Sequence, residues 1–213
     1  MIAKKTTEYD SLEKGEKLPI VESFYTIQGE GFHTGKPAFF VRIGGCDIGC
    51  SWCDTKFSWN PNLHKLVDIS DILNTILSSG SDSVVVTGGE PLSYNLDMFC
   101  DILKSEGLMT FLETSGAYQK SGSWDWICLS PKKNNPPTKK NFESADELKV
   151  IIQTVRDFSW AEENSKKVGE NCRLFLQPEW SQYDKIIPRV IEYVKKNPKW
   201  SISLQAHKFM KIP

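Results

Sequence analysis

The sequence predicts an α/β fold, in which helices cover a mostly parallel sheet. Two observations indicate this class. Short apolar or β-branched runs alternate with amphipathic helical segments, which is the pattern of repeated strand–helix–strand units. Polar and glycine-containing motifs follow directly after several of these runs, and barrels and open α/β sheets bind their ligands at the carboxyl ends of strands.

Length and composition indicate one globular domain spanning 1–213. A chain of 213 residues is enough for one sizeable core and short for two. The formal net charge of −1 leaves no basic excess to neutralise phosphates, so we expect no nucleic-acid partner. No apolar run approaches the roughly 20 residues of a membrane helix. With no apolar N-terminal signal segment either, we expect a cytoplasmic protein without a membrane partner.

The predicted elements follow a polar arm, rich in Lys and Glu, over 1–17. Runs of apolar and β-branched residues predict the strands 19–27, 38–43, 83–86, 109–112, 125–129, 147–153, 173–176 and 200–204. Apolar residues at helical spacing predict the helices 68–77, 96–105, 155–167 and 183–195. The segment 132–140 is rich in Lys, Asn and Pro, which is typical of an exposed loop.

Three of the six cysteines lie within eight residues of one another. Cys46, Cys50 and Cys53 have the spacing C-x3-C-x2-C. Cluster irons are bound by cysteine sulfur, so three thiolates on one loop can hold three corners of a cubane 4Fe-4S cluster. One iron then stays open for an outside ligand, which is the property of a reactive metal site.

The spacing by itself leaves a zinc site open as the alternative. Zinc takes three thiolates plus a nearby His or Asp. The candidates are His33, His64, Asp47 and Asp54. A disulfide framework is less favoured, because thiols stay reduced in the cytosol. The other cysteines are scattered among apolar residues and are expected to be buried small side chains, namely Cys100, Cys128 and Cys172.

One charged residue falls inside an apolar predicted strand. Arg42 lies in the run 38–43, four residues before Cys46. A buried guanidinium left without a partner costs about 3–5 kcal/mol. Arg42 therefore either extends to the surface or meets an anion, and its position near a strand end favours the anion.

Several motifs resemble one enzyme family. They are Phe24-Tyr25-Thr26-Ile27-Gln28-Gly29-Glu30-Gly31, Phe40-Val41-Arg42-Ile43-Gly44-Gly45-Cys46, Trp52-Cys53-Asp54-Thr55, Thr87-Gly88-Gly89-Glu90-Pro91, Leu112-Glu113-Thr114, Ser130-Pro131-Lys132 and Leu204-Gln205-Ala206-His207-Lys208. The cysteine spacing resembles that of the radical S-adenosylmethionine (SAM) enzymes. Within that superfamily, the flanking motifs resemble the 7-carboxy-7-deazaguanine synthase family, and the resemblance spans nearly the whole chain.

This resemblance implies a fold and a set of cofactors. The fold is a partial (β/α) barrel of the radical SAM type, a single domain with about six mostly parallel strands and outer helices. The three clustered cysteines hold a 4Fe-4S cluster, and SAM binds the fourth iron. Thr55 is the implied ligand of a magnesium ion, which prefers hard oxygen donors.

The resemblance also implies which residues contact each ligand. The implied SAM contacts are Trp52, Cys53, Asp54, Gly89, Glu113, Ser130, Lys132, Gln177, Pro178 and Glu179. The implied substrate contacts are Ile27, Gln28, Gly29, Glu30, Arg42, Thr87, His207 and the terminal carboxylate of Pro213. Arg42 suits a substrate carboxylate because its planar fork binds two oxygens. No side chain is implied as the radical source, since SAM supplies the radical.

The implied reaction converts 6-carboxy-5,6,7,8-tetrahydropterin to 7-carboxy-7-deazaguanine and ammonia, a lyase step toward queuosine and related 7-deazapurines. A flavodoxin or ferredoxin is the implied electron donor, and a homodimer is the implied assembly.

Two alternatives stay open. A radical SAM activase, which makes a glycyl radical on a partner protein, would keep the cysteines but has no use for Arg42, Glu30 or a docked C-terminus. A zinc-bound interaction module is the alternative outside enzymes.

Overall fold

The computed structural model describes residues 10–213, and a nine-stranded sheet forms its framework. Its strands are β1 (Lys17–Ile27), β2 (Pro37–Ile43), β3 (Lys65–Asp68), β4 (Ser83–Gly88), β5 (Met109–Thr114), β6 (Trp126–Leu129), β7 (Glu147–Ile152), β8 (Arg173–Pro178) and β9 (Trp200–Ile202). The order across the sheet is β3-β1-β2-β4-β5-β6-β7-β8-β9. From β2 to β9 every neighbouring pair is parallel, whereas β1 pairs antiparallel with both β2 and β3.

Helices cover one face of this sheet. They are α1 (Ile69–Ser79), α2 (Asp97–Ser105), α3 (Lys139–Glu143), α4 (Asp157–Ser165) and α5 (Tyr183–Lys196). A further helix, α6 (Ala206–Met210), follows β9 and contacts the loop between β1 and β2 instead. One apolar cluster joins Ile76 of α1 and Phe99 of α2 to Val86 of β4. A second cluster joins Ala161 of α4 to Val150 of β7. Within residues 10–213, no helix has both the length and the apolar character needed to cross a membrane.

The pleat of the strands separates the core from an interior cavity. On β7, Leu148, Val150 and Ile152 are fully buried in the core beneath the helices. The residues between them, Lys149 and Ile151, line a cavity on the opposite face. Because successive side chains of a strand point to opposite faces, the inner face can carry functional groups while the outer face holds the core.

The predicted fold class is confirmed, and the strand count is the main difference. Every predicted strand and helix occurs, with ends shifted by a few residues. The sheet has nine strands instead of about six. β3 was not predicted, because its four residues are ordered by pairing with the distant β1 rather than by a local pattern. The helices α3 and α6 were also missed, since five residues are too few to show helical periodicity.

A loop between β1 and β2 bridges the open side of the sheet. Within residues 10–213 the edge strands β3 and β9 do not pair, as expected for a partial barrel. In this loop the backbone N–H of Gly31 donates to Ser203 Oγ at 2.9 Å, and the carbonyl of Gly29 accepts from the N–H of Ala206 at 2.8 Å. These bonds join the loop to the chain that follows β9, so the loop closes the interior.

The C-terminal segment turns back toward that interior. After α6, Lys211 adopts a left-handed conformation with φ of 57°. This conformation costs a non-glycine residue about 1–2 kcal/mol. The turn is supported by the N–H of Ile212, which donates to the carbonyl of His207 at 3.2 Å. As a result, Pro213 reaches the wall of the cavity.

Asp157, the first residue of α4, fastens two loops to each other. Its buried carboxylate accepts from the backbone N–H groups of Gln153 at 3.0 Å and Thr154 at 2.7 Å. It also pairs with the ammonium group of Lys133, in the loop after β6. Burial by itself raises the pKa of Asp157, but the bonds from Lys133 and the backbone outweigh it and hold the pKa below its ordinary 3.8.

We predict that Asp157→Asn destabilises the protein by about 1–3 kcal/mol at pH 7, because an amide cannot replace a carboxylate that accepts from four donors, the fourth being the Thr154 hydroxyl. A lowered pKa means that the stabilisation is present above pH 3.8 and is lost as the pH falls through the folded-state pKa. Urea unfolding at pH 7 and pH 3 should therefore show the difference shrinking in acid. As a control, Glu143→Gln removes an exposed pair with Lys139 and should change stability by less than about 0.5 kcal/mol. An equal deficit at both pH values would contradict the assignment.

Candidate active site

One cavity of about 600 Å³ lies at the carboxyl ends of the parallel strands. Pockets of this volume hold small molecules and cofactors. The cavity brings together all the residues that the sequence analysis assigned to the cluster, magnesium, SAM or substrate. They are Ile27, Gln28, Gly29, Glu30, Arg42, Cys46, Cys50, Trp52, Cys53, Asp54, Thr55, Thr87, Gly89, Glu113, Ser130, Lys132, Gln177, Pro178, Glu179, His207 and Pro213. The ligand that each contacts stays a prediction.

The cysteine loop follows β2 and presents three free, partly exposed thiols to this cavity, those of Cys46, Cys50 and Cys53. Burial raises the pKa of Cys46 and of Cys50, so both are protonated at neutral pH until a metal displaces the proton. Three unpaired thiols beside a roomy cavity match the donor set of a 4Fe-4S cluster that leaves one iron open.

The arrangement does not match the zinc alternative. Among residues 10–213, no three His, Cys, Asp or Glu side chains are arranged to hold a single metal ion. The candidate fourth ligands also have other partners. His64 Nε2 lies 3.0 Å from the carbonyl of Phe57, and Asp54 pairs with Lys208 at 2.8 Å. His33 stacks on Phe111 with ring centroids 4.5 Å apart. Asp47 bonds to Tyr118 and thereby raises the pKa of that hydroxyl to about 12.

The end of β4 packs directly beneath the cysteine loop. The N–H of Gly89 donates to the carbonyl of Ile43 at 2.9 Å, and the N–H of Glu90 donates to the carbonyl of Gly45 at 2.8 Å. A Cβ atom on Gly89 would lie 2.2 Å from the carbonyl oxygen of Gly45 and 2.8 Å from Cys46 Cβ. Glycine at this position is therefore required by the close approach of two backbones, which the sequence analysis had read only as contact with a ligand.

Glu90 locks the same strand end to its neighbour. Its carboxylate is fully buried and accepts from the backbone N–H of Leu92 at 3.0 Å and from that of Ser115 at 2.8 Å. The hydroxyls of Thr114 and Ser115 donate to it as well. Four donors satisfy one buried carboxylate, so the ends of β4 and β5 are held in register beneath the cavity.

Three residues assigned to SAM are engaged with the protein itself. Lys132 Nζ donates to Ser130 Oγ at 2.7 Å, and burial lowers the pKa of Lys132. The amide oxygen of Gln177 accepts from Ser203 Oγ at 2.7 Å. The carboxylate of Glu179 accepts from the N–H of Ser181 at 2.8 Å, which begins a short helical turn. The side chains of Gln177 and Glu179 thus have structural partners, and the backbone N–H of Glu179 donates to the carbonyl of Ile152 at 2.9 Å.

Arg42 meets an anion of its own chain. Its Nε donates to Glu22 Oε1 at 2.7 Å, across the antiparallel pair of β1 and β2. The position of Arg42 near a strand end favours an anion over solvent, and Glu22 is such an anion; the substrate carboxylate that the resemblance implies stays a prediction. The guanidinium lines the cavity with one edge held by Glu22, which fixes its orientation for an incoming anion.

Glu30 is an ionised carboxylate inside the cavity. It accepts from Lys149 Nζ at 2.7 Å and from Gln205 Nε2 at 2.8 Å. Burial by itself raises the pKa of Glu30, but the charge and hydrogen bond of Lys149 outweigh it and lower the pKa to about 2. Glu30 therefore remains a hydrogen-bond acceptor at any physiological pH.

His207 lies beside Glu30, against the backbone of Gly29. A Cβ atom on Gly29 would lie 2.3 Å from His207 Nδ1, so only glycine permits this approach. Burial lowers the pKa of His207, so its imidazole is neutral at pH 7 and can either donate or accept a hydrogen bond.

Sequence reasoning missed Lys149. This lysine sits on the inner face of β7, and its ammonium group bonds to Glu30 and to Glu113, each at 2.7 Å. The available signal was a lysine within an otherwise apolar strand, the same signal that drew attention to Arg42. A buried lysine needs carboxylates around it, and those lie far away in the sequence.

Thr55 lies two residues after Cys53, with its hydroxyl 3.5 Å from the Cys53 sulfur. Thr55 precedes a short helical turn, but its side chain makes no capping hydrogen bond to that turn. A hydroxyl at the cavity wall is compatible with a magnesium ligand, and that role stays a prediction.

We predict that Gly89→Ala displaces the cysteine loop and lowers the iron content after anaerobic reconstitution to less than about half of the wild-type value. Gly169→Ala is the matched control, because no atom lies within 4 Å of the Cβ that it would add. Iron and sulfide analysis checks both variants. Full iron loading of Gly89→Ala would show that the loop tolerates the clash.

The sequence is similar to a known superfamily and to named relatives. A model of the radical SAM superfamily matches residues 40–159, more than half of the chain. The 7-carboxy-7-deazaguanine synthase of Flavobacterium psychrophilum is 52% identical over 203 residues, covering 95% of this chain and 96% of the relative. The enzyme of the same name from Synechocystis is 41% identical over 194 residues, covering 91% and 93%.

A solved structure agrees with these relatives. The crystal structure of QueE from Escherichia coli superposes with a TM-score of 0.81 at 30% sequence identity, covering 94% of this chain and 99% of the other. Superposition over nearly the whole length of both chains extends the match beyond the cysteine loop to the complete sheet and its loops. The chain therefore belongs to the 7-carboxy-7-deazaguanine synthase family of the radical SAM superfamily.

Proposed function

We propose that this chain converts 6-carboxy-5,6,7,8-tetrahydropterin to 7-carboxy-7-deazaguanine with loss of ammonia. One observation carries the proposal. A single cavity presents the three free thiols together with an oriented guanidinium, an ionised glutamate and the C-terminal residue. A reactive cluster and groups complementary to a carboxylated pterin thus face the same small space.

The cysteine loop would hold the 4Fe-4S cluster, and SAM would complete it. When bound, the cluster and SAM supply one-electron radical chemistry, which protein side chains do not provide. The chain positions SAM with the strand ends that line the cavity, among them Gly89, Ser130 and Lys132. The ring of Trp52 lies beneath the ammonium group of Lys132, at 5.6 Å, and shields this side of the cavity from water.

Arg42 would bind the substrate carboxylate. Because Glu22 holds its Nε at 2.7 Å, the terminal nitrogens of the guanidinium are the donors that remain for a bidentate contact. Binding one end of the substrate in this way fixes the orientation of the ring that reacts.

Acceptors on the cavity wall would bind the pyrimidine edge of the pterin, which presents a row of N–H donors. Glu30 stays ionised, and the α-carboxylate of Pro213 would add a second anion beside the cavity that Pro213 lines. The neutral imidazole of His207 can donate or accept in the same cavity. A cation for the carboxylate and acceptors for the N–H edge would together fix how the substrate lies.

The other expectations that come from the family resemblance are proposals as well. We infer that Thr55 contributes to a magnesium site shared with substrate, that a flavodoxin or ferredoxin reduces the cluster, and that the chain forms a homodimer. We also propose one radical SAM domain over 1–213, a proposal supported by one continuous sheet from Lys17 to Ile202.

The proposed reaction predicts product from the reconstituted protein. Incubation with SAM, dithionite and the carboxypterin should yield 7-carboxy-7-deazaguanine by mass, and Cys50→Ser should abolish the product. Cys172→Ser, which changes a thiol with no predicted cluster role, is the control and should keep full activity. A wild-type protein that cleaves SAM without consuming carboxypterin would point to the activase alternative. A colourless, zinc-containing protein after anaerobic purification would contradict both.

The C-terminal carboxylate gives a separate prediction. Adding one glycine after Pro213 moves the charge away from the cavity wall, so the KM for carboxypterin should rise at least about tenfold. Iron content and SAM binding should not change, because the extension leaves the cysteine loop intact. An unchanged KM would exclude the terminal carboxylate as a substrate ligand.

A further inference from the structure

Lys149 occupies a position between the two predicted ligand sites. Its side chain is 3% exposed, on the inner face of β7. Its Nζ lies 2.7 Å from Glu30 Oε2 and 2.7 Å from Glu113 Oε2. Glu30 belongs to the loop assigned to substrate, and Glu113 lies near the carboxyl end of β5, where the resemblance places SAM. One ammonium group therefore joins the two halves of the cavity.

Gln28 completes a closed ring between Glu113 and Glu30, while the second carboxylate oxygen of Glu30 accepts from Gln205 Nε2 at 2.8 Å. Gln28 Nε2 donates to Glu113 Oε1 at 3.0 Å, and the N–H of Glu30 donates to Gln28 Oε1 at 3.1 Å. We call Lys149, Glu30, Glu113 and Gln28 the Lys149 ring. Because each member is bonded to two others, a shift of one carboxylate changes the hydrogen-bond geometry of the other.

The Lys149 ring contains two carboxylates and one ammonium group, so its negative charge exceeds its positive charge. Burial by itself lowers the pKa of Lys149, but the neighbouring carboxylates of Glu113 and Glu30 outweigh it and raise the pKa well above the ordinary value. Lys149 is thus a permanent cation shared by two anions. A ligand donor that binds either carboxylate changes how strongly that carboxylate holds the shared ammonium group.

We propose that Lys149 is a positioning residue that couples SAM binding to carboxypterin binding, by holding Glu30 and Glu113 in one geometry. This inference rests on the proposed function. A ligand that orders one carboxylate orders the other through the shared ammonium group, so the second ligand meets a site that is already arranged. By linkage, each ligand tightens the binding of the other by the same factor.

Calorimetric titration of the anaerobically reconstituted protein, without reductant, tests this coupling. We expect saturating carboxypterin to tighten SAM binding about tenfold in the wild type, and SAM to tighten carboxypterin binding equally. In Lys149→Met, each ligand should tighten the binding of the other by less than about twofold. A lysine that only stabilised the fold would change both affinities without removing their interdependence.

Two further variants keep the test decisive. Lys199→Met removes a Lys–Glu pair outside the cavity, because Lys199 pairs with Glu162 at 2.6 Å. This variant should keep the wild-type coupling between SAM binding and carboxypterin binding. If Lys149→Met fails to fold by circular dichroism, Glu113→Gln decides, because its amide has the same size but removes the charge and leaves one acceptor oxygen for the two donors Gln28 and Lys149. It should also reduce the factor.

The outcomes separate this inference from the proposed function. The inference is overturned, and the proposed function stands, if the wild type forms product and folded Lys149→Met keeps the wild-type coupling. If Lys149→Met does not fold, the same conclusion follows from unchanged coupling in Glu113→Gln. A wild type in which neither ligand changes the affinity of the other also overturns the inference and leaves the proposed function standing. A wild-type protein that binds no carboxypterin overturns both.

Discussion

The parallel strands of this protein have helices on one face and a cavity on the other, and the rest of the structure depends on that constraint. Helices cover the outer face, so every second side chain is apolar and buried. The inner face meets a cavity, so the alternate side chains are free to be polar. β7 shows both patterns in six residues, with Leu148, Val150 and Ile152 in the core and Lys149 between them in the cavity. Function and stability are thereby assigned to opposite sides of one sheet.

Polar groups on the inner face have to be paired, because water does not solvate them fully. Glu90 is satisfied entirely by its own chain and serves to align two strand ends. Glu30, Glu113 and Lys149 satisfy one another and still face the cavity. The difference between the two sets lies in the number of protein donors: Glu90 accepts from four, whereas Glu30 and Glu113 each accept from two and keep acceptor capacity for a ligand.

Glycines control how closely the catalytic loops approach one another. Gly89 allows the end of β4 to support the cysteine loop, and Gly29 allows His207 to pack against the β1–β2 loop. Neither contact involves a ligand directly. Both set the distance between segments that carry ligand-binding groups, so a change of one methyl group at either position would alter the shape of the cavity.

The sequence by itself determined the fold class, because alternating strands and helices are a local pattern. The cysteine spacing left zinc open, and the motifs that resemble a known family predicted the 4Fe-4S cluster and most of the residues that line the cavity. Only the tertiary structure decided how those residues are paired. It assigned Glu22 to Arg42, joined Lys149 to Glu30 and Glu113, and added β3 at the sheet edge. These partners are distant in sequence, and a buried charge is stabilised by whatever opposite charge the folded chain brings within hydrogen-bond distance.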